Sequence, residues 1–159
     1  MANVTFNNCD PKDAPKPTMP AHLGSPAILT CKGSLLLETR RDSDTWGLVG
    51  GGVKKTETEL QAIVREVREE LGLRIPAERF RKLAVYGEPG RIAAFRDGSI
   101  WRMVIVMYGY DFAEEPAMRI STESKDLRFF TKEELRDIEI VITHSDIVED
   151  WCLNANSEC

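Results

Sequence analysis

The stretch Gly51–Leu73, which reads GGVKKTETELQAIVREVREELGL, decides the fold. Thr56 and Glu59 are spaced as a capping box, which predicts a helix that begins near Glu57. Gly72 predicts where the helix ends, because glycine accepts the left-handed conformation that closes many helices. We therefore expect one helix across most of this segment.

This helix is expected to carry two contrasting faces. Four apolar side chains fall within one narrow stripe at about 100° per residue: Leu60, Val64, Val67 and Leu71. Glu66, Glu69 and Glu70 fall roughly opposite, so their carboxylates are expected to converge. Converging carboxylates repel one another unless a cation lies among them. Oxygen ligands without His or Cys favour Mg²⁺ or Mn²⁺, which assist phosphate chemistry by neutralising oxygens and activating a water.

The same segment resembles the Nudix box, G-x5-E-x7-R-E-U-x-E-E-x-G-U, in which U is an apolar residue. Every fixed position is filled between Gly51 and Leu73. At average residue usage, a chance match in a chain of this length is about one in ten million. The alternative interpretation is an ordinary solvated glutamate face, and the glycines and Arg65 at the family's spacing argue against it.

The Nudix resemblance implies an α/β fold, namely an α/β/α sandwich with a mixed β-sheet, and strand-like segments on both sides of the helix fit it. Residues 1–24, rich in Pro, Asn and Lys, predict an N-terminal tail or irregular lead-in. Residues 25–155 are expected to form a single Nudix hydrolase domain. The patterns predict strands at 27–32, 35–39, 82–86, 92–95, 100–110 and 127–130, and helices near 131–134 and at 146–153.

The resemblance also implies a metal site. In Nudix enzymes the glutamates that match Glu66, Glu69 and Glu70 bind the cation, and the carbonyl that matches Gly50 often joins them. The glycines at 50–52 form a flexible turn, for which close backbone approach to metal and phosphate is the functional interpretation. An ordinary loop is the alternative for these glycines.

Further roles follow from the same resemblance. Arg65 and Glu57 are expected to pair and to hold the catalytic loop on the helix, since a fixed guanidinium fork orients carboxylates well. Many members place another acid well past the box, as metal ligand or base. Glu123 and Asp126 are the candidates here, with an ordinary exposed acid as the alternative for each. We expect His144 to pack or cap locally rather than to act in catalysis.

The predicted function is divalent-metal-dependent hydrolysis of a nucleoside diphosphate linked to another moiety, with water attacking the pyrophosphate. The substrate would be a nucleoside triphosphate or a nucleoside diphosphate sugar. One alternative is an ADP-ribose-specific pyrophosphatase, because Pro89 stands sixteen residues after Leu73, as in many such members; Glu88–Gly90 also fits a type II turn. The other alternative is a non-catalytic nucleotide-sensing Nudix module, against which the intact set of acids argues.

Composition and charge argue against several other classes of protein. The chain of 159 residues carries a formal charge of −5 without a long basic run, which argues against general nucleic-acid binding. Its start lacks signal-peptide features, and no apolar stretch has membrane-spanning length. Four cysteines form no CxxC pair, which favours free thiols and a cytoplasmic location: Cys9, Cys31, Cys152 and Cys159. The expected partner is a small nucleotide, and the sequence leaves open whether the protein is a homodimer.

Overall fold

The computed structural model describes residues 4–41 and 43–154. Its strands are, in chain order, β1 (Thr5–Asn8), β2 (His22–Cys31), β3 (Ser34–Arg40), β4 (Trp46–Gly52), β5 (Arg81–Tyr86), β6 (Arg91–Ala94), β7 (Ile100–Phe112) and β8 (Ser124–Phe130). The α-helices are α1 (Glu59–Leu71) and α2 (Ile142–Asn154), and short 3-10 helices lie at Ala77–Arg79 and Glu134–Asp137. Cys159 and residue 155, the predicted domain limit, lie outside the described residues.

Within the described part of the chain, the strands form one mixed sheet. Its order is β1-β6-β7-β2-β4-β3-β8, and β5 also pairs with β7. The β2–β7 pair is parallel, whereas the other strand pairs are antiparallel. The glycines that end β4 therefore lie in the middle of the sheet, directly before the chain turns into α1.

The two helices cover opposite faces of this sheet. Leu36 of β3 packs in a buried cluster with Ile63 and Val67 of α1. Its neighbour Leu37 points to the other face and belongs to the cluster that includes Ile147 of α2. This alternation along one strand buries both faces. The predicted α/β/α sandwich with a mixed sheet is confirmed.

Helix α1 begins later than predicted. Thr58 is its N-cap: the Thr58 hydroxyl accepts from the Gln61 amide at 3.2 Å, and the Gln61 side chain accepts from the Thr58 amide at 2.8 Å. The predicted capping box, two residues upstream, is wrong because the Glu57 carboxylate between them is bonded to Arg65. Gly72 ends the helix with φ 72°, as predicted.

The segment before residue 25 is not irregular throughout. Thr5–Asn8 pairs with β6, and β2 already begins at His22. Arg91, whose side chain is fully buried, holds this arrangement: its guanidinium lies 4.9 Å from the Phe6 ring centroid and contacts the Asp146 carboxylate. The expectation of an irregular lead-in is therefore wrong for these residues, because it ignored pairing with a distant strand. The domain limits themselves stay predictions.

The other predicted elements overlap observed ones, and their ends differ. The strands predicted at 27–32 and 92–95 each run one residue past the observed strand, and the helix predicted near 131–134 is the 3-10 helix Glu134–Asp137. Strand β2 starts five residues before position 27, because its parallel pairing with β7 extends from His22–Met103 to Cys31–Phe112. Helix α2 starts at Ile142 rather than at residue 146. Pairing between distant strands decides such ends, and local patterns do not contain that information.

The structure also bears on membrane-spanning helices and on the state of the cysteines. No helix in residues 4–41 and 43–154 is long and apolar enough to cross a membrane. Cys9, Cys31 and Cys152 are free thiols.

Candidate active site

Arg65 is the centre of the acidic cluster on α1. Its Nε and Nη2 donate to the two oxygens of Glu57 at 3.0 and 2.6 Å, and Nη2 also donates to the Gly52 carbonyl at 3.1 Å. Its Nη1 donates to Glu66 at 2.7 Å and to Glu69 at 3.1 Å. The Arg65 side chain is only 14% exposed. One guanidinium therefore ties the loop before the helix to two glutamates on the helix.

The ion pair between Arg65 and Glu57 is thus present, as the sequence implied. Hydrogen bonds from Arg65, and then from the Lys54 amide, lower the pKa of Glu57 to about 2. The hydrogen bonds to Glu57 in turn raise the pKa of Arg65 above its ordinary value. Both groups are therefore ionised at neutral pH, and the fork persists over the working range of most enzymes.

The glycine turn fits closely against this cluster. Gly50 has φ 140°, and a Cβ there would lie 2.4 Å from the Pro26 Cα. A Cβ on Gly51 would lie 2.6 Å from an oxygen of Glu66. Glycine is therefore required at position 50, whereas a Cβ on residue 51 would displace the Glu66 carboxylate, against which the Gly51 backbone lies. Burial raises the pKa of Glu66, although Arg65 opposes the rise.

Glu70 has a different set of partners. One Glu70 oxygen accepts from the hydroxyls of Ser121 at 2.9 Å and Ser124 at 3.1 Å. The three glutamates lie close enough to interact: besides burial, the charges of Glu70 and Glu69 raise the pKa of Glu66, and convergence on a cation stays a prediction. Glu66 and Glu69 meet at Arg65, whereas Glu70 is held at the start of β8. The positive guanidinium attracts the first two carboxylates, and hydroxyl donors attract the third.

Glu38 is the site residue that sequence reasoning missed. It lies on β3, is 7% exposed, and lies 3.0 Å from the Ser124 hydroxyl, whose single proton is shared between Glu38 and Glu70. Burial, followed by the neighbouring Glu70 carboxylate, raises the pKa of Glu38 to about 8. The sequence does contain a signal for it: Glu38 follows three leucines directly and lies on the same strand face as Leu36, so a buried charge could have been expected there.

We expect Glu38→Gln to flatten the pH dependence of stability in the metal-free protein. The folded-state pKa of Glu38 lies above its ordinary value of 4.5, so its protonated form stabilises the fold at low pH. That stabilisation is lost as pH rises through about 8, so the wild-type melting temperature should fall between about pH 5 and pH 8 more steeply than that of the variant. Thermal melts in chelator measure this, with Glu123→Gln as the exposed control. Parallel curves for wild type and Glu38→Gln would refute the assignment.

The two acids expected downstream of the box lie at the surface of this region. Glu123 is 67% exposed and accepts from Arg40 at 3.5 Å. Asp126 accepts from the adjacent Leu127 amide at 2.8 Å. Among the described residues, neither is hydrogen-bonded to Glu66, Glu69 or Glu70. Their roles as metal ligand or base stay predictions, and Ser124 between them is the residue that contacts Glu70.

The ligand types in the site suit a hard divalent cation, although the described side chains are not arranged around a metal position. Its donors are carboxylate oxygens beside glycine backbone, the ligand types that Mg²⁺ and Mn²⁺ prefer. Across residues 4–41 and 43–154, no group of three or more His, Cys, Asp or Glu side chains is arranged to hold a metal ion. Arg65 engages Glu66 and Glu69, so a bound cation would share those two carboxylates with the guanidinium.

A cavity of about 190 Å³ opens beside the glycine turn. Its wall includes Glu38, Gly50, Leu48, Thr45 and His144. It therefore extends from Glu38 and the glycine turn toward the start of α2. A ligand whose charged part lay at the glutamates could place another part in this cavity.

Sequence comparison gives two matches. A sequence model described as the NUDIX domain matches residues 21–151. Nucleoside triphosphatase NudI of Enterobacter sp. (strain 638) is 27% identical over 96 residues, which cover 60% of this chain and 67% of that protein.

Solved structures share the fold. A MutT/nudix family protein from Enterococcus faecalis is similar with a TM-score of 0.58 and 26% identity, over 74% of this chain and 46% of that one. A bifunctional NMN adenylyltransferase/ADP ribose pyrophosphatase from Francisella tularensis has a TM-score of 0.67 and 22% identity, over 84% of this chain and 41% of that one. A further structure of the Francisella enzyme is complexed with AMP and a manganese ion. The chain spans less than half the length of both proteins.

Proposed function

Because the chain belongs to the Nudix family, we propose that it hydrolyses nucleoside diphosphates linked to another moiety and depends on Mg²⁺ or Mn²⁺. The observation that carries this proposal is the Arg65 fork, which holds Glu66 and Glu69 against the glycine turn. A merely solvated glutamate face would not need a largely buried arginine with five hydrogen bonds to loop and helix. The manganese ion in the Francisella enzyme supports the choice of cation.

The site residues are proposed either to hold the cation or to orient the residues that hold it. When bound, a divalent cation neutralises phosphate oxygens and lowers the pKa of a water. Glu66, Glu69, Glu70 and the Gly50 carbonyl are the groups proposed to hold it. Arg65 and Glu57 orient those carboxylates by fixing the loop on the helix, and Ser121 and Ser124 restrain Glu70. Ordering these groups before substrate arrives reduces the reorganisation that the reaction requires.

The fold accounts for Pro89 without a role in substrate choice. The Arg91 amide donates to the Glu88 carbonyl at 3.0 Å, so Pro89 lies within a tight turn. Gly90 does not have positive φ, so the predicted type II turn is wrong in type. Glycine is needed there for another reason, because a Cβ on Gly90 would lie 1.8 Å from the Cys9 carbonyl oxygen.

We therefore place nucleoside triphosphates ahead of ADP-ribose as substrates. The similarity to a nucleoside triphosphatase supports this order, and the turn explains the proline that suggested ADP-ribose. We expect kcat/KM for ADP-ribose to be at least about tenfold below that for the best nucleoside triphosphate. Initial rates with ATP, GTP, CTP, UTP, their deoxy forms and ADP-ribose, all with the same cation, measure this. If ADP-ribose equals or exceeds the best triphosphate, the order is reversed.

The competing class is a nucleotide-sensing module that binds without turnover. The acids of the box are all present, and their supporting contacts are formed, which favours an enzyme. Binding of triphosphates without release of monophosphate at saturating Mg²⁺ and Mn²⁺ would instead support the sensing module.

A further inference from the structure

His144, in the cavity wall, carries a ring N–H donor that has no role in the proposed chemistry. The Leu48 amide donates to Nδ1 of His144 at 3.1 Å. Since Nδ1 accepts, the ring proton of the neutral imidazole must reside on Nε2. Burial, and then the nearby Arg91 charge, lower the pKa of His144 to about 4. His144 is therefore an uncharged imidazole of fixed tautomer at neutral pH.

The Nε2–H group of this imidazole is available to a ligand. Within residues 4–41 and 43–154, the His144 ring makes no hydrogen bond other than the one from the Leu48 amide. The ring lies beside Gly47, where an added Cβ would come within 3.4 Å of Nδ1. His144 lines the cavity together with Glu38 of β3 and Gly50 of β4.

Among the described residues, the buried side-chain polar atoms without a partner are Thr39 Oγ1 and Arg102 Nε, so Nε2–H of the half-buried His144 is open to solvent when no ligand is bound. A ligand that covers this donor must accept its hydrogen bond, because a donor that loses water without gaining an acceptor costs free energy.

We propose that His144 is a specificity-determining residue, whose Nε2–H donates to an uncharged acceptor on the substrate's nucleobase. This inference rests on the proposed function, because the phosphates must lie at the glutamates for the base to reach the cavity. An uncharged donor suits a carbonyl oxygen or ring nitrogen, whereas phosphate is bound best by cationic groups. A site built to donate one hydrogen bond rejects bases that offer no acceptor there, because the donor is then left unpaired.

Two substitutions separate the donor from the ring's packing role. In His144→Asn, the amide oxygen can still accept from Leu48, but the shorter side chain no longer places an N–H donor at the position of Nε2. In His144→Gln, the longer side chain can place an amide N–H close to the position of Nε2. His22→Asn is the matched control, because His22 is the other histidine of the chain and does not line the cavity.

The test measures dissociation constants of the α,β-methylene analogues of ATP, GTP, CTP and UTP for wild type and the three variants. We expect the ratio between weakest and tightest analogue to fall about tenfold in His144→Asn, to recover largely in His144→Gln, and to stay unchanged in His22→Asn. An unchanged ratio in His144→Asn overturns the inference. The inference is also overturned if the wild-type protein binds none of the four analogues. Discriminating binding without turnover would reject the proposed function and keep the inference.

A second measurement needs no substitution at His144. Two-bond ¹H–¹⁵N spectra of the wild-type imidazoles, assigned with His22→Asn, should show the Nε2–H tautomer. The Nε2 resonance should shift when the tightest analogue is added. A protonated ring, the opposite tautomer or an unmoved resonance at saturation overturns the inference even if His144→Asn fails to fold.

Discussion

Glu70→Gln is expected to lower turnover by about a hundredfold or more while the fold survives. Glu70 is a proposed cation ligand, and the substitution removes its charge but keeps its size. The amide can keep the hydrogen bonds at Ser121 and Ser124, and losing a negative charge beside Glu38 relieves repulsion. Steady-state kinetics at saturating Mg²⁺ measure the loss, and thermal melts check the fold.

The same variant separates a cation ligand from a structural residue. Millimolar Mg²⁺ should raise the melting temperature of wild type more than that of Glu70→Gln, because binding to the folded state alone stabilises it. Glu69→Gln should behave alike, whereas Glu123→Gln is the exposed control and should lose much less activity. Near wild-type turnover in both Glu69→Gln and Glu70→Gln would remove the basis for the assigned site.

Arg65→Met is expected to damage both activity and stability. The methionine keeps the apolar stem but removes five hydrogen bonds, so Glu57 and Glu66 lose their partner and the Gly52 carbonyl loses a donor. We expect turnover to fall by about a hundredfold and the melting temperature by roughly 5–10 °C. Kinetics and melts of the same preparation measure both effects.

Two further variants sharpen this result. Arg65→Lys keeps the charge but cannot reproduce the fork, so it should recover stability better than activity. Arg68→Met changes an exposed arginine of the same helix and should alter neither quantity much. If Arg65→Met melted like wild type and retained its activity, the fork would be a surface contact without function.

The helix and its pairing with the loop could be predicted from the sequence because both depend on local spacing. Gly72 marks the end of α1, and Arg65 reaches Glu57 because both lie within one turn-and-helix segment. The family pattern adds the identity of the paired residues. Strand segments were likewise located from apolar runs, since burial follows hydrophobicity.

What escaped prediction depends on contacts between distant parts of the chain. Glu38 becomes a site residue only because β3 lies beside β8, which brings Ser124 between Glu38 and Glu70. The strand at Thr5–Asn8 exists because buried Arg91 and β6 give it a partner. The start of α1 was also missed, since Thr58 and Gln61 form the capping box rather than Thr56 and Glu59.

The most direct test of the central claim is hydrolysis in ¹⁸O-labelled water. The nucleoside triphosphates are incubated with Mg²⁺ or Mn²⁺, and the products are analysed by mass spectrometry. The account predicts that at least one triphosphate yields monophosphate and pyrophosphate, and that one ¹⁸O appears in one of the two products. It also predicts that chelator abolishes the reaction and that Glu70→Gln slows it by about a hundredfold or more. Intact nucleotides with both cations, or unlabelled products, would contradict it.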